Sequence, residues 1–264
     1  MLGITPSITA FVLIVTSVTG ACVGSFLNCL SWRIVAGESV LKGRSHCTTC
    51  NHTLEALDLL PILSYIHLRG KCRYCGEKIS PRYAAVEVFT AVMFVSLALR
   101  FDVTPELAKF ILLSSILLSL SLVDFDNETI PDGFIIAGIV LFLAFSPFGE
   151  LSLPKTLLNG LIGGLSISLP LLLLVLLADK VLKRDTMGGG DIKLIFMIGL
   201  FFDWKLNLLL IIISCVTGIL VALLLGKAKP GTPFPFGPAI SLSAVIVMLF
   251  GSGILDWYLG LMKL

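Results

Sequence analysis

Residues 156 to 178 read TLLNGLIGGLSISLPLLLLVLLA, 23 positions without one charged side chain. As a helix this run would rise about 34 Å at ~1.5 Å per residue, enough to cross the ~30 Å hydrocarbon core of a bilayer. It is not alone. Further apolar runs fall near residues 8 to 30, 83 to 99, 106 to 123, 133 to 148, 191 to 202, 206 to 226 and 236 to 258. The composition agrees: of 264 residues 56% are hydrophobic and only 14% charged, with a mean hydropathy of +1.01, far outside soluble averages. The chain reads as an integral membrane protein, surrounded by membrane lipid, with about eight crossings.

Two of these runs are short. The stretch 191 to 202 would rise only about 18 Å as a helix, and 133 to 148 is also short, so these two are the runs least suited to span alone, although the eight-span reading fits the charges better. Charge sets the expected orientation. If every run crosses and the N-terminus is outside, one side receives Arg33 through Arg82, Lys180, Lys183, Arg184, Lys227 and Lys229. The other side keeps Arg100, Lys109, Lys155, Lys205 and Lys263. The positive-inside rule then makes the segment from Arg33 to Arg82 cytoplasmic. No Lys or Arg precedes Arg33, so residues 1 to 30 lack the basic region of a cleaved secretory signal and read as a retained first helix.

Residues 31 to 82 form a polar island with an excess of base. Inside it lie two CxxC pairs, Cys47/Cys50 and Cys72/Cys75, with 21 residues between them. A CxxC turn points two thiolates at one centre, and two such turns supply the tetrahedral set that zinc prefers. The rival reading is two disulfides, which rarely persist in a reducing cytosol. A segment of about 50 residues with few large apolar side chains builds little core, so the metal is expected to be structural and to supply folding energy, one zinc per chain. His46, His52 and His67 are nearby and read as surface residues, and Cys22, Cys29 and Cys215 lie in apolar runs as small hydrophobes. The expected fold class is therefore all-α: a polytopic membrane helix bundle of about eight transmembrane helices with a small cytoplasmic zinc-binding insert. By role the chain divides into a first transmembrane helix at 1–30, the zinc-binding island at 31–82, and a transmembrane domain at 83–264 that holds the acids discussed next.

Two acid clusters stand at the ends of apolar runs. One contains Asp124, Asp126, Asn127, Glu128 and Asp132, the other Asp185 and Asp191. Carboxylates at membrane depth are costly and mark a reactive site, an ion path or a pairing partner. Taken singly, Asp132 and Asp191 also read as N-caps of the runs they precede. Three glycines, Gly188, Gly189 and Gly190, precede Asp191 and exceed what a cap requires, since each loses backbone entropy and buries no side chain. They would let an extended peptide lie against bare backbone beside the acid. Two aspartates that share a proton can hydrolyse an amide, one acting as base on a water while the other protonates the carbonyl oxygen or leaving amine. Asp124 and Asp126, two apart, would face nearly opposite sides of a helix, so one of them can serve.

The chain resembles the type IV prepilin peptidases, the bifunctional leader peptidase and N-methyltransferase family of bacterial pilus, competence and type II secretion systems. The motifs that carry the resemblance are GSFLNCLSWR at 24 to 33, the two CxxC turns, DLLPILSYIHLRGKCRYCGEKISPRY at 58 to 83, VDFDNETIPD at 123 to 132, MGGGDIKL at 187 to 194 and PFGPAI at 235 to 240. It implies that Asp191, in the GxGD motif, and Asp124, first in the DxDxxxxPD pattern, are the catalytic acids of an aspartic protease, with Asp126 the runner-up. It implies a prepilin or pseudopilin precursor as partner, whose short basic leader is cut after a glycine at the cytoplasmic face of the bacterial inner membrane. The new N-terminal amine would then be methylated from S-adenosylmethionine. Gly188, Gly189, Gly190 and Lys193 would shape the substrate site, Lys193 facing an acidic group of the substrate unless it simply snorkels. Pro238, Ala239 and Ile240 are similar to the short proline motif of presenilin-like sites, or mark a helix start.

The sequence departs from the family where CTTC lacks a proline after its first cysteine and where Ala84 stands at a position often occupied by proline. It shows no Gly-rich Rossmann loop, so the residues that hold S-adenosylmethionine are not legible. No nucleic-acid partner is expected. Intramembrane acids also suit an ion-coupled transporter, and a zinc-bearing assembly scaffold is the non-enzymatic alternative.

Overall fold

The computed structural model describes residues 6–40, 42–149, 151–183, 187–224 and 234–262. Among them the ordered structure is helical, with α1 at Pro6–Ala36, α2 at Leu63–His67, α3 at Pro81–Phe101, α4 at Pro105–Asn127, α5 at Asp132–Phe145, α6 at Leu153–Leu182, α7 at Gly189–Gly199, α8 at Trp204–Leu224 and α9 at Gly237–Met262. The only extended pairings recorded in these residues are two isolated bridges, His46 with Thr53 and Lys71 with Lys78. Eight helices, all but α2, coincide with the eight apolar runs. Six of them, α1, α3, α4, α6, α8 and α9, are long and apolar enough to cross a membrane. The other two, α5 with 14 residues and α7 with 11, are the two short runs. At ~1.5 Å per residue α7 is about 16 Å long, half the hydrocarbon thickness.

The chain divides into two compact units, Met1–Leu107 and Ala108–Leu264. In the first, α1 packs against α3. Gly20 and Gly24, one turn apart, make this possible: a Cβ at Gly20 would lie 2.8 Å from the Ala91 Cα, and one at Gly24 would lie 2.9 Å from the Glu87 Cα. Small residues spaced by four let two backbones meet where lipid offers no hydrophobic drive for association. Ser80 accepts the Arg82 N–H at 3.3 Å and Pro81 opens α3, the sequence signature of a helix start. Asn28 of α1 donates to the Tyr83 carbonyl of α3 at 3.1 Å.

In the second unit α7 is the buried element. Ile192, Leu194, Ile195, Met197, Ile198 and Gly199 are all withdrawn from the surface, while Lys193 in its first half is exposed. It can be short because protein neighbours, not lipid, surround its C-terminal half. Gly199 touches Gly164 of α6, where an added Cβ would lie 2.8 Å from the Gly164 Cα. Asn207 of α8 brings its amide nitrogen within 3.0 to 3.2 Å of the carbonyls of Gly163, Gly199 and Phe202, tying α6, α7 and α8 together. Asp203 caps α8 by accepting the Leu206 N–H at 2.8 Å. Outward, α6 exposes Leu172, Leu173, Leu174, Leu176 and Leu177, a surface suited to acyl chains and not to water.

Candidate active site and metal centre

The polar island of the first unit is organised by its cysteines. Each CxxC forms the same turn. In the first, Cys47 N–H donates to the His52 carbonyl and Asn51 N–H to the Cys47 carbonyl; in the second, Cys72 N–H donates to the Glu77 carbonyl and Gly76 N–H to the Cys72 carbonyl. The residue after the second cysteine must turn left-handed, with φ 55 at Asn51 and φ 74 at Gly76, and Asn and Gly are the residues that do so most readily. The four sulfur atoms of Cys47, Cys50, Cys72 and Cys75 all lie within 4.8 Å of one another, a group that could hold a metal ion. All four cysteines are free. The Cys47 and Cys75 sulfurs stand 3.9 Å apart, far beyond a disulfide bond.

Electrostatics distinguish these thiols. Backbone N–H groups of Cys50 and Thr49 lower the Cys47 thiol to about 6. A backbone hydrogen bond from Glu77 lowers Cys75, but burial and the neighbouring thiols outweigh it and push Cys75 up to about 12. Around the cluster, His52 stacks on Tyr74 with ring centres 3.5 Å apart, and Arg73 Nε donates to Asp58 Oδ1 at 2.6 Å. Burial opposes ionisation of Asp58, but the Glu55 backbone N–H and the Arg73 guanidinium prevail and hold its carboxyl below the ordinary value.

The acids of the second unit come from three helices. Asp124, in the last turn of α4, is 4% exposed, while Asp126 faces outward, as their spacing on a helix requires. Asp191, in the first turn of α7, is half-buried and lies within electrostatic reach of Asp124. Neither Asp132 nor Asp191 caps its helix. The N-caps are Pro131 and Gly188, neither of which makes a side-chain cap hydrogen bond, so the two acids stand inside the first turn and not at the cap position.

Asp124 does meet a helix start, one remote in sequence. Its Oδ2 accepts the backbone N–H of Gly237, the first residue of α9, at 3.0 Å. A Cβ at position 237 would lie 2.7 Å from Oδ2, so only glycine brings its amide this close. The start of α9 is itself held by α8: Thr217 Oγ1 donates to the Ala239 carbonyl at 3.2 Å and lies 2.9 Å from Ser243 Oγ. Gly237 was quoted within PFGPAI, but sequence reasoning gave it no role; its signal was a glycine directly before a helix-start proline.

The glycines before Asp191 differ among themselves. A Cβ at Gly188 would lie 3.5 Å from Asp191 Oδ2, one at Gly190 would press to 3.1 Å from the Ile130 Cβ, and one at Gly189 would meet nothing within 4 Å. Lys193 pairs with Asp132 at 2.7 Å, both exposed, so this lysine already has an acidic partner within the chain. Asp185 and the basic residues Arg184, Lys227, Lys229 and Lys263 lie outside the described residues.

Residues 18–101 match the bacterial peptidase A24 N-terminal domain, and residues 111–223 match the type IV leader peptidase family. The chain is 32% identical over 271 residues to a protein of Pseudomonas putida named prepilin leader peptidase/N-methyltransferase, covering 93% of each. The chain belongs to the type IV leader peptidase family. Proteins of the same name from Bacillus subtilis (32% identity, 91% of this chain and 95% of the relative) and Pseudomonas aeruginosa (32% identity, 95% and 94%) extend the likeness along nearly the whole chain. No solved structure matches it. The two family segments meet between residues 101 and 111, beside the boundary between the two compact units of this type IV leader peptidase.

Proposed function

We propose that this protein is a prepilin leader peptidase and N-methyltransferase that removes the leader from prepilin or pseudopilin precursors with Asp124 and Asp191. The observation that carries this reading is the juxtaposition of those two carboxyl groups, one from the end of α4 and one from the start of α7, in a protein of this family. Two acids brought together in a poorly hydrated site favour a single shared proton. The carboxylate of the pair takes a proton from water as its oxygen attacks the scissile carbonyl carbon, and the protonated partner donates to the carbonyl oxygen. The tetrahedral species collapses, the C–N bond breaks, and a proton returned through the pair leaves with the new amine. The Gly237 amide orients Asp124, and the bare backbone at Gly188 and Gly189 gives an extended peptide room beside Asp191. S-adenosylmethionine would supply an electrophilic methyl group for the exposed N-terminal amine.

The cysteine cluster fits zinc. Four thiolates at ~2.3 Å from a tetrahedral ion stand about 3.8 Å from each other, and the Cys47 to Cys75 separation is 3.9 Å. The role is structural: the ion would join two turns that share no hydrophobic core. With all eight apolar helices counted as crossings, the charge distribution supports an inner-membrane protein with its N-terminus outside and with the cysteine island and acid clusters cytoplasmic. By role, 1–30 is the first span, 31–82 the metal island and 83–264 the protease.

Purified protein incubated with a candidate prepilin, with and without S-adenosylmethionine, tests this directly by the mass of the pilin N-terminus. The expected product loses its leader, and gains one methyl group only when the donor is present. Asp124→Asn and Asp191→Asn should each abolish cleavage while the protein remains monodisperse. Cleavage that survives either change sinks the dyad. Nothing in the fold or the relatives favours the transporter or scaffold readings.

A further inference from the structure

The cysteine island is less polar than its charged residues suggest. Between its two turns, Leu57, Leu59, Leu60, Leu63 and Ile66 all face outward, each between 41 and 66% exposed. The short 3-10 turn at Ala56–Leu59 and helix α2 bury no residue at all. Five exposed aliphatic side chains within ten residues of an otherwise charged module mark a surface that something covers.

One hydrogen bond sets where this patch sits. The Ile62 backbone N–H, in the middle of the patch, donates to Glu87 Oε2 at 2.7 Å, and Glu87 is 8% exposed within α3. Glu87 stands six residues beyond Pro81 at the helix start, about 9 Å along the axis at ~1.5 Å per residue. One headgroup layer is only about 5 to 7 Å thick. Where α3 crosses the bilayer, this bond therefore holds Ile62 near the boundary of headgroups and acyl chains. Ile62 accepts a left-handed backbone to reach it, φ 63 and ψ −50, a conformation rare for a β-branched residue and kept only where its surroundings demand it. Arg69 and Lys71 follow α2 directly, where anionic headgroups would be met.

We propose that residues 57 to 66 are an interfacial anchor, which inserts these five aliphatic side chains into the headgroup and acyl boundary of the leaflet that α3 enters. The cysteine module is thereby held down on the bilayer instead of floating above it. The proposal rests on α3 as a membrane helix and is independent of the peptidase reading, because it needs no substrate.

The test uses the full chain in vesicles of phosphatidylethanolamine and phosphatidylglycerol, with the photoreactive residue p-benzoylphenylalanine placed at Leu63, at Ile66 or, as an independent repeat, at Leu59. Glu77, exposed in the second cysteine turn, is the control position. After irradiation and digestion, mass spectrometry should find lipid adducts at the three aliphatic positions and none at Glu77. Adducts to protein alone, or lipid adducts equally strong at Glu77, overturn the proposal. Since all three aliphatic side chains are exposed, the replacements disturb no packing, and unchanged metal content confirms that the module is folded.

Discussion

Gly237 carries no side chain, yet its amide is what holds Asp124. The first N–H of a helix has no partner within it, and here a carboxylate from another helix supplies one at 3.0 Å. Replacing this glycine would drive a methyl group into the carboxylate oxygen. Because displacement of a catalytic group by ~1 Å can cost about 100-fold in rate, Gly237→Ala is expected to lower kcat on a prepilin by roughly that factor, with KM little changed. Gly253→Ala, on the same helix with open space around it, should leave kcat alone. Steady-state kinetics on the two variants side by side separate positioning from a general effect on α9. If Asp124 and Asp191 share a proton, the rate should rise and fall with pH as a bell whose two apparent values belong to the pair. A flat profile measured with the same substrate would speak against the sharing.

At the scale of elements, stability can be probed where helices approach closely and at the two cysteine turns. Gly24→Val would place branched carbons between α1 and α3, where even a Cβ meets Thr90 Oγ1 at 2.8 Å. Overpacking of this kind costs about 1 to 3 kcal/mol, and a lowered Tm in detergent checks it. In the cysteine module, metal analysis is expected to find about one zinc per chain in the unaltered protein, and Cys72→Ser should abolish it. Asp58 adds a dependence on pH. Its carboxyl titrates below the ordinary 3.8 in the folded module, so the stabilisation it brings is complete above that value and is lost as pH falls through its lower folded value. Asp58→Asn removes this contribution, and the variant's unfolding should depend less steeply on pH below about 4. Thermal melts of the two proteins across that window decide the point. The pairing of cysteines was legible in advance because a CxxC turn is local. The Ile62 to Glu87 bond was not, since nothing near either residue in the chain announces the other.

For the molecule as a whole, what could be read in advance followed from local chemistry. Hydropathy summed over a window located eight apolar helices, because transfer from water to lipid depends on composition and not on neighbours. Ligand spacing named the four cysteines for the same kind of reason, and helix periodicity already separated Asp124 from Asp126. Only the tertiary structure decided that the apolar side chains of the short α7 are enclosed by protein, that Lys193 pairs with Asp132, that Gly237 meets Asp124, and that Asp191 stands within electrostatic reach of the same carboxyl. Each of these depends on groups far apart along the chain, whose meeting is set by how glycine-lined helices pack, a property of the assembled bundle that no window of sequence contains.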